Sequence, residues 1–368
     1  MQTRSLRTFL VVTVFCLFGA AREVCSQPVA EPPKLAEQEF KNIQALKGTP
    51  ADQLFPAMQF ISASLGVECD FCHVQGKFDA DDKRPKLAAR KMIAMTFAIN
   101  KEHFDGHREV TCNSCHNGKS HPAGTPPVAD QDFRPERPAA NAAGTGSGAT
   151  IDQVLAKYLE AVGGVEAIKK ISSRVEKGHI TAMGDESAIE LFMKAPDKRI
   201  SIMHTPRGDS ITAFDGKAGW LGNAGRPPRD MGAGEAAGAR LDADFYFATH
   251  LMETFNQLRP GRPEKIGDRD ANVVMALRED QPPVRLYFDQ GTGLLVRMVR
   301  YVETPLGRMP TQIDYADYRS VDGIKIPFRW TLSRPNGRFT IQVDEVRQNV
   351  PVPDEKFAKP AASEPAGR

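Results

Sequence analysis

The sequence predicts a multi-domain chain of α, then α+β class: a small helical domain followed by a curled antiparallel β half-barrel with helices. Three observations carry this expectation. Apolar residues between 50 and 104 recur at helical spacing. Residues 119–149 are rich in Pro, Ala and Gly without hydrophobic periodicity, which reads as an exposed linker. From residue 189 onward, short alternating runs separated by turn residues read as a meander of roughly ten strands. The boundaries that follow are a signal at 1–26, the helical domain at 27–118, the linker at 119–149, the half-barrel at 150–356 and a disordered tail at 357–368.

The elements can be justified in order. Arg4 and Arg7 precede an apolar run at 9–20, the pattern of a secretory signal that is too short for a membrane span. Val24-Cys25-Ser26 places cleavage after Ser26, the alternative being an uncleaved anchor. Arg22-Glu23-Val24 suits lipid modification of Cys25 poorly. Residues 27–34 read as a Pro-rich leader and 37–46 as a short helix. Thr49 as cap and Pro50 as first residue open the next helix. Leu54, Met58, Ile61 and Leu65 form its apolar face, and Gly66 ends it. Pro85 starts another, with Ala88, Met92, Met95 and Ile99 along one face. Thr150 caps a helix bearing Ile151, Val154, Leu155 and Tyr158, which Gly163-Gly164 breaks, and a shorter helix covers 167–171. Strands are expected at 189–193, 199–203, 210–214, 273–277, 284–288, 294–300, 311–318, 328–332 and 339–346, with a helix at 245–258. Asp215-Gly216, Asp322-Gly323 and 335–337 mark turns.

The chemistry-bearing signal lies between the helices. Cys69-Asp70-Phe71-Cys72-His73 and Cys112-Asn113-Ser114-Cys115-His116 are two C-x-x-C-H motifs. Two thiols at this spacing reach the two vinyl groups along one porphyrin edge, and the following His is placed to ligate iron. The chain has six cysteines. Cys16 and Cys25 fall in the expected signal, so the motifs use all the others and leave none for structural disulfides. Two covalently attached haem c groups are therefore expected, on an exported protein that is periplasmic or membrane-associated on the extracytoplasmic side. Structural zinc on four cysteines is the rival, but it leaves each adjoining His unexplained. Met58 is the candidate distal ligand for the first haem. Met92 and Met95 compete for the second, and His103 and His107 are also available. The net charge of +2 gives no sign of a nucleic-acid partner.

Residues 38–118 resemble the photosynthetic reaction-centre cytochrome c subunit family. The resemblance is carried by the stretches from Leu65 through Cys69 to His73, from Ala89-Arg90-Lys91-Met92 to Asn100, and from Val110 through Cys112 to Gly118. It implies His73 and His116 as proximal ligands and Met58 as distal ligand of the first haem. For the second haem it implies Met92, which follows Arg90 by two residues, in preference to Met95. Family members that serve reaction centres carry four haems, whereas this chain has motifs for two, which points to a general electron carrier. Residues 150–355 resemble the LolA/LolB-like lipoprotein-carrier superfamily. The features are the opening helix from Gln153 to Tyr158 with Gly163-Gly164, the stretch from Phe214 to Trp220, and the stretch from Tyr318 to Phe328. That resemblance implies a half-barrel whose concave face takes an apolar ligand such as a lipid or quinone, with Trp220, Tyr246, Phe247 and Trp330 as candidate lining. The expected function is electron transfer between redox protein partners, not catalysis. A peroxidase-like dihaem enzyme with one open haem site is one alternative, and a lipid or quinone carrier with a haem redox module is another. Asp215 and His250 stand apart from any nucleophile arrangement.

Overall fold

The computed structural model describes residues 34–122, 124, 149–182, 184–279, 281–335 and 337–360. The expected signal, most of the expected linker and residues 361–368 lie outside them. Among the described residues no helix is long and apolar enough to cross a membrane, which says nothing of β-barrels.

The N-terminal part contains α1 (Ala36–Glu39), α2 (Ala51–Leu65), α3 (Cys69–Cys72), α4 (Arg84–His103) and α5 (Cys112–His116). The helix expected at 37–46 is only α1, because Phe40 is already extended at φ −116° and ψ 145°. Pro50 sits at the cap of α2, one position earlier in the helix than expected. Gly66 ends α2 in the left-handed region, as its lack of a Cβ allows. The packed side of α4 is Lys86, Ile93, Thr96 and Asn100, whereas Met92 and Met95 face outward. This differs from the apolar face expected from periodicity, and the reason is polar. Lys86 and Asn100 are buried because their side chains satisfy backbone groups of the loops on either side of the helix.

The second part opens with α6 (Ile151–Ala161) and α7 (Val165–Lys169). A reciprocal cap starts α6: Gln153 N donates to Thr150 Oγ1, and Thr150 N donates to Gln153 Oε1 at 2.9 Å. The strands are β1 (Ser173–Ala182), β2 (Asp185–Lys194), β3 (Lys198–Thr205), β4 (Gly208–Asp215), β5 (Gly219–Asn223) and β6 (Arg226–Asp230). After α8 (Ala233–Ala243) and α9 (Phe247–Thr254) come β7 (Gln257–Pro260), β8 (Glu264–Ile266), β9 (Arg269–Leu277), β10 (Val284–Asp289), β11 (Leu295–Thr304), β12 (Gly307–Val321), β13 (Ile324–Arg334) and β14 (Gly337–Gln348). They form one antiparallel sheet of 14 strands in the order 6-5-4-3-2-1-14-13-12-11-10-9-7, with β8 paired to β9. Pairing of β1 with β14 joins the two meanders, and the path leaves β6 and β7 as open edges. The edge β6 reads Arg-Pro-Pro-Arg-Asp, whose prolines deny hydrogen bonds to a further strand.

Both faces of the sheet are covered. One core packs Val154, Tyr158, Ile168, Leu251 and Phe255 of the helical segments onto Leu191, Leu286, Phe328 and Val343 of the strands. A smaller cluster gathers Val175, Ile200, Ala213 and Trp220 beneath Val352 and Phe357. Trp220 therefore belongs to that second face, and its Nε1 donates to the Phe357 carbonyl at 2.9 Å. Phe357, expected in a disordered tail, is fully buried.

The N-terminal helices share a core with the sheet. Ala57, Phe60 and Ile61 of α2, with Ile93 of α4, pack against Leu306 and Met309 at the β11–β12 turn. Gly307 sits directly beneath the Phe60 ring, where an added Cβ would lie 2.5 Å from Cζ. Two polar contacts reinforce the junction. Asp52 Oδ2 accepts from Ala233 N at 3.0 Å at the start of α8, and Arg108 pairs with Glu303.

Candidate haem-binding region

Each C-x-x-C-H occupies a short helix whose local sequence holds it in place. In α3 the first motif begins just after the Gly66 turn, and His73 follows the last helical residue. The imidazole Nδ1 of His73 lies 2.9 Å from the Phe78 carbonyl oxygen. A carbonyl only accepts, so Nδ1 carries the proton and Nε2 carries the lone pair. The same Phe78 oxygen accepts from Lys86 Nζ at 3.0 Å, and Lys86 also donates to the Ala80 carbonyl at 2.7 Å. Arg90 grips Asp81 through two bonds of 2.9 Å, and Asn42 donates to the same carboxylate. Hydrogen bonds from Arg90, Lys86 and Asn42 hold the Asp81 carboxyl well below the usual carboxylate range. The loop that presents the carbonyl to His73 is thus pinned from α4.

The second motif repeats this arrangement with different residues. His116 Nδ1 lies 2.9 Å from the Lys119 carbonyl, so its Nε2 is again the free nitrogen. Asn100 brackets the approach to α5, donating to the Val110 carbonyl at 2.7 Å and accepting from Val110 N at 2.9 Å. Neither Nε2 has a hydrogen-bond partner among the described residues. A ligating imidazole ordinarily has its other ring nitrogen bonded to a carbonyl in this way.

The thiols complete the fit. All four cysteines are unpaired, with Cys69 and Cys115 exposed and Cys72 and Cys112 half-buried. Burial pushes the Cys72 and Cys112 thiols up from their ordinary pKa. No three His, Cys, Asp or Glu side chains converge as a metal site needs among the described residues, so the two C-x-x-C pairs do not form the four-thiolate cage of the zinc rival. The surrounding surface is unusually apolar. Of the ten large hydrophobic side chains exposed among the described residues, all but Met252 fall between Phe40 and Phe104. Phe71 lies within the first motif and Phe78 follows it, and Met92 and Met95 stand on the outer side of α4. Apolar surface on this scale marks a place that something covers. Met58 is half-buried beside the shared core, and His103 and His107 are exposed.

The ends of the two motifs are stitched together at Gly66. Gly118 N donates to the Ser64 carbonyl at 2.8 Å, and the Gly118 oxygen would stand 2.2 Å from a Cβ on Gly66. With φ at 65°, Gly66→Ala carries a left-handed penalty of about 1–2 kcal/mol and a backbone clash besides. The expected result is a lower thermal midpoint for the haem absorbance of this variant; an unchanged midpoint would show that the contact is not tight in solution.

The chain was compared with known proteins. Residues 19–161 match the family model described as the photosynthetic reaction centre cytochrome C subunit. This chain is 35% identical over 83 residues to cytochrome c-554 of Chloroflexus aurantiacus, covering 21% of this chain and 20% of that protein. It is 31% identical over 110 residues to the photosynthetic reaction center cytochrome c subunit of Thermochromatium tepidum, covering 28% and 27% of the two chains. The match thus spans between a fifth and about a quarter of the length of these relatives. A LolA superfamily protein from Nitrosomonas europaea aligns with 58% of this chain and 99% of its own at a TM-score of 0.40 and 16% identity. A DUF1329 family protein from Desulfovibrio piger aligns with 56% and 97% at a TM-score of 0.40 and 11% identity.

Strands and helices of the second part line an open cavity of about 420 Å³. Tyr246, Phe247 and Trp330 line it as expected, and Trp220 does not. Sequence reasoning missed its polar wall. Arg300 makes a two-pronged ion pair with Asp242 at 2.6 and 2.8 Å, Arg174 lies 3.5 Å from Glu176, and His250 Nδ1 pairs with Asp244 at 3.0 Å. Burial raises the Asp244 carboxyl above its ordinary value despite that partner. The spacing of Arg174 and Glu176 on one strand face was the signal available for the wall.

Proposed function

We propose that this protein is an extracytoplasmic c-type cytochrome that carries two covalent haems and passes electrons between redox protein partners. Cys69 and Cys72 hold the first haem with His73 as proximal ligand, and Cys112 and Cys115 hold the second with His116. Met58 and Met92 are the distal ligands, with Met95 the alternative to Met92. The single observation that carries this reading is the repeated imidazole arrangement. In each motif Nδ1 is committed to a backbone carbonyl and Nε2 is left free beside two unpaired thiols. Iron held by imidazole and thioether supplies one-electron chemistry without an open coordination position. The chain's own contribution is to fix both imidazoles, through the Lys86-pinned loop and the Asn100 bracket, and to offer apolar surface that keeps water from the ring. The half-barrel binds an apolar ligand, a reading supported by its cavity and the aromatic side chains lining it. A pyridine haemochrome spectrum of the exported protein, set against protein mass, is expected to give two haems per chain. Fewer than two overturns the assignment.

A further inference from the structure

The polar wall of the half-barrel cavity is not electrically balanced. Asp242 is taken up by Arg300, Glu176 by Arg174, and Asp244 by His250. Two further guanidinium groups, Arg199 on β3 and Arg334 at the end of β13, line the same cavity. Neither makes an ion pair or a side-chain hydrogen bond among the described residues. Arg199, Arg334, Thr212, Asp242 and Arg300 also line an adjoining cavity of about 160 Å³, which reaches Pro56 and Gln59 of α2. The remainder of the larger cavity is apolar, with Ile168, Ile189, Leu241, Phe247 and Met298 among its walls. Its volume falls in the range of roughly 300–1,000 Å³ that holds one small ligand.

We propose that this cavity takes a single-tailed amphiphile with an anionic head, carboxylate or phosphate, received by Arg199 and Arg334, with the tail among the apolar walls. This rests on the reading of the half-barrel as a ligand-binding domain and adds what that reading lacks, the charge of the ligand. Guanidinium forks suit both head groups, and charge-assisted hydrogen bonds are the strong ones. An uncharged lipid or quinone would leave both guanidiniums without a partner.

The test is calorimetric titration of the full haem-loaded chain with laurate, dodecyl phosphate, dodecanol and inorganic phosphate. Laurate or dodecyl phosphate is expected to bind roughly tenfold to a hundredfold more tightly than dodecanol, the range for hydrogen bonds to a charged group. The tighter of the two identifies the head. Inorganic phosphate alone is expected to show no saturable binding. In the Arg199→Gln/Arg334→Gln variant the preference over dodecanol should vanish while dodecanol binding persists, which also shows that the cavity is intact. Arg334→Gln alone, at an exposed strand end, should lose part of the preference and covers the case in which the double variant fails to fold. Equal binding of dodecanol and the anionic probes overturns the anionic head and leaves the apolar-ligand reading standing. Binding of no tailed probe overturns both. Inorganic phosphate binding as tightly as dodecyl phosphate, or a preference that survives both substitutions, also overturns the proposal.

Discussion

The variant Cys69→Ser/Cys72→Ser is expected to be exported with one covalent haem, and so is Cys112→Ser/Cys115→Ser. Each motif has its own short helix and its own carbonyl for the imidazole. The Phe78 carbonyl is held by Lys86, whereas the second motif is approached through the Asn100 bracket, so the two supports share helix α4 but no hydrogen bond. Thioether attachment at one motif is therefore expected not to require the other. The haemochrome absorbance per chain should therefore halve in either variant, and the two remaining haems should differ in reduction potential because their surroundings differ. Among the described residues the first motif lies near the Asp81, Lys86 and Arg90 cluster, while the second motif abuts Gly66 and Ser64 at the end of α2. Loss of both haems from either variant would show that the motifs mature as a single site. Retention of both in either variant would remove those cysteines from the haem assignment altogether.

The parts of this arrangement that were legible in the sequence are those written in local chemistry. The C-x-x-C-H spacing, Gly66 as a helix stop, the Thr150 cap and the Asp322-Gly323 hairpin each depend on residues within a few positions of one another. What escaped was written across the chain. β1 gave no alternating signal because its concave face carries Arg174 and Glu176, and only folding brings those charges to a common wall. β5 and β6 are short and rich in Gly or Pro, and α8 is mostly Ala and Gly with a weak apolar stripe. Which side of α4 packs against the loops was hidden for a related reason. Periodicity counts apolar residues, but here a buried lysine and asparagine choose the inner side by bonding to loops, leaving Met92 and Met95 outside. The Arg199 and Arg334 pair could not be seen at all, since 135 positions separate them by residue number and nothing local marks them as neighbours of one cavity.

The shared core makes a stronger claim about how the two halves behave. Phe60 is 7% exposed, lies over Gly307, and shares one core with Leu306 and Met309 of the sheet and Ala57 and Ile61 of its own helix. Truncation of a buried Phe to Ala costs about 3–5 kcal/mol, through lost transfer free energy and the cavity left behind. The loss should fall on the junction, since Gly307 has no side chain to fill the gap and the β11–β12 turn is held by its own bonds. Thr304 Oγ1 donates to the Gly307 carbonyl at 2.7 Å and accepts from Leu306 N and Gly307 N. The half-barrel has its own larger core and should keep its fold. In the unaltered protein the haem Soret signal and the far-ultraviolet signal of the sheet are expected to melt together. In Phe60→Ala the haem signal should melt first, by several degrees, because the helices lose the surface against which they are held while the sheet does not. Arg108→Ala should produce a smaller separation in the same direction, because its partner Glu303 is partly exposed and an ion pair of that kind contributes little. A single coincident transition in Phe60→Ala, at the original temperature, would mean that Phe60 does not hold the helices against the sheet.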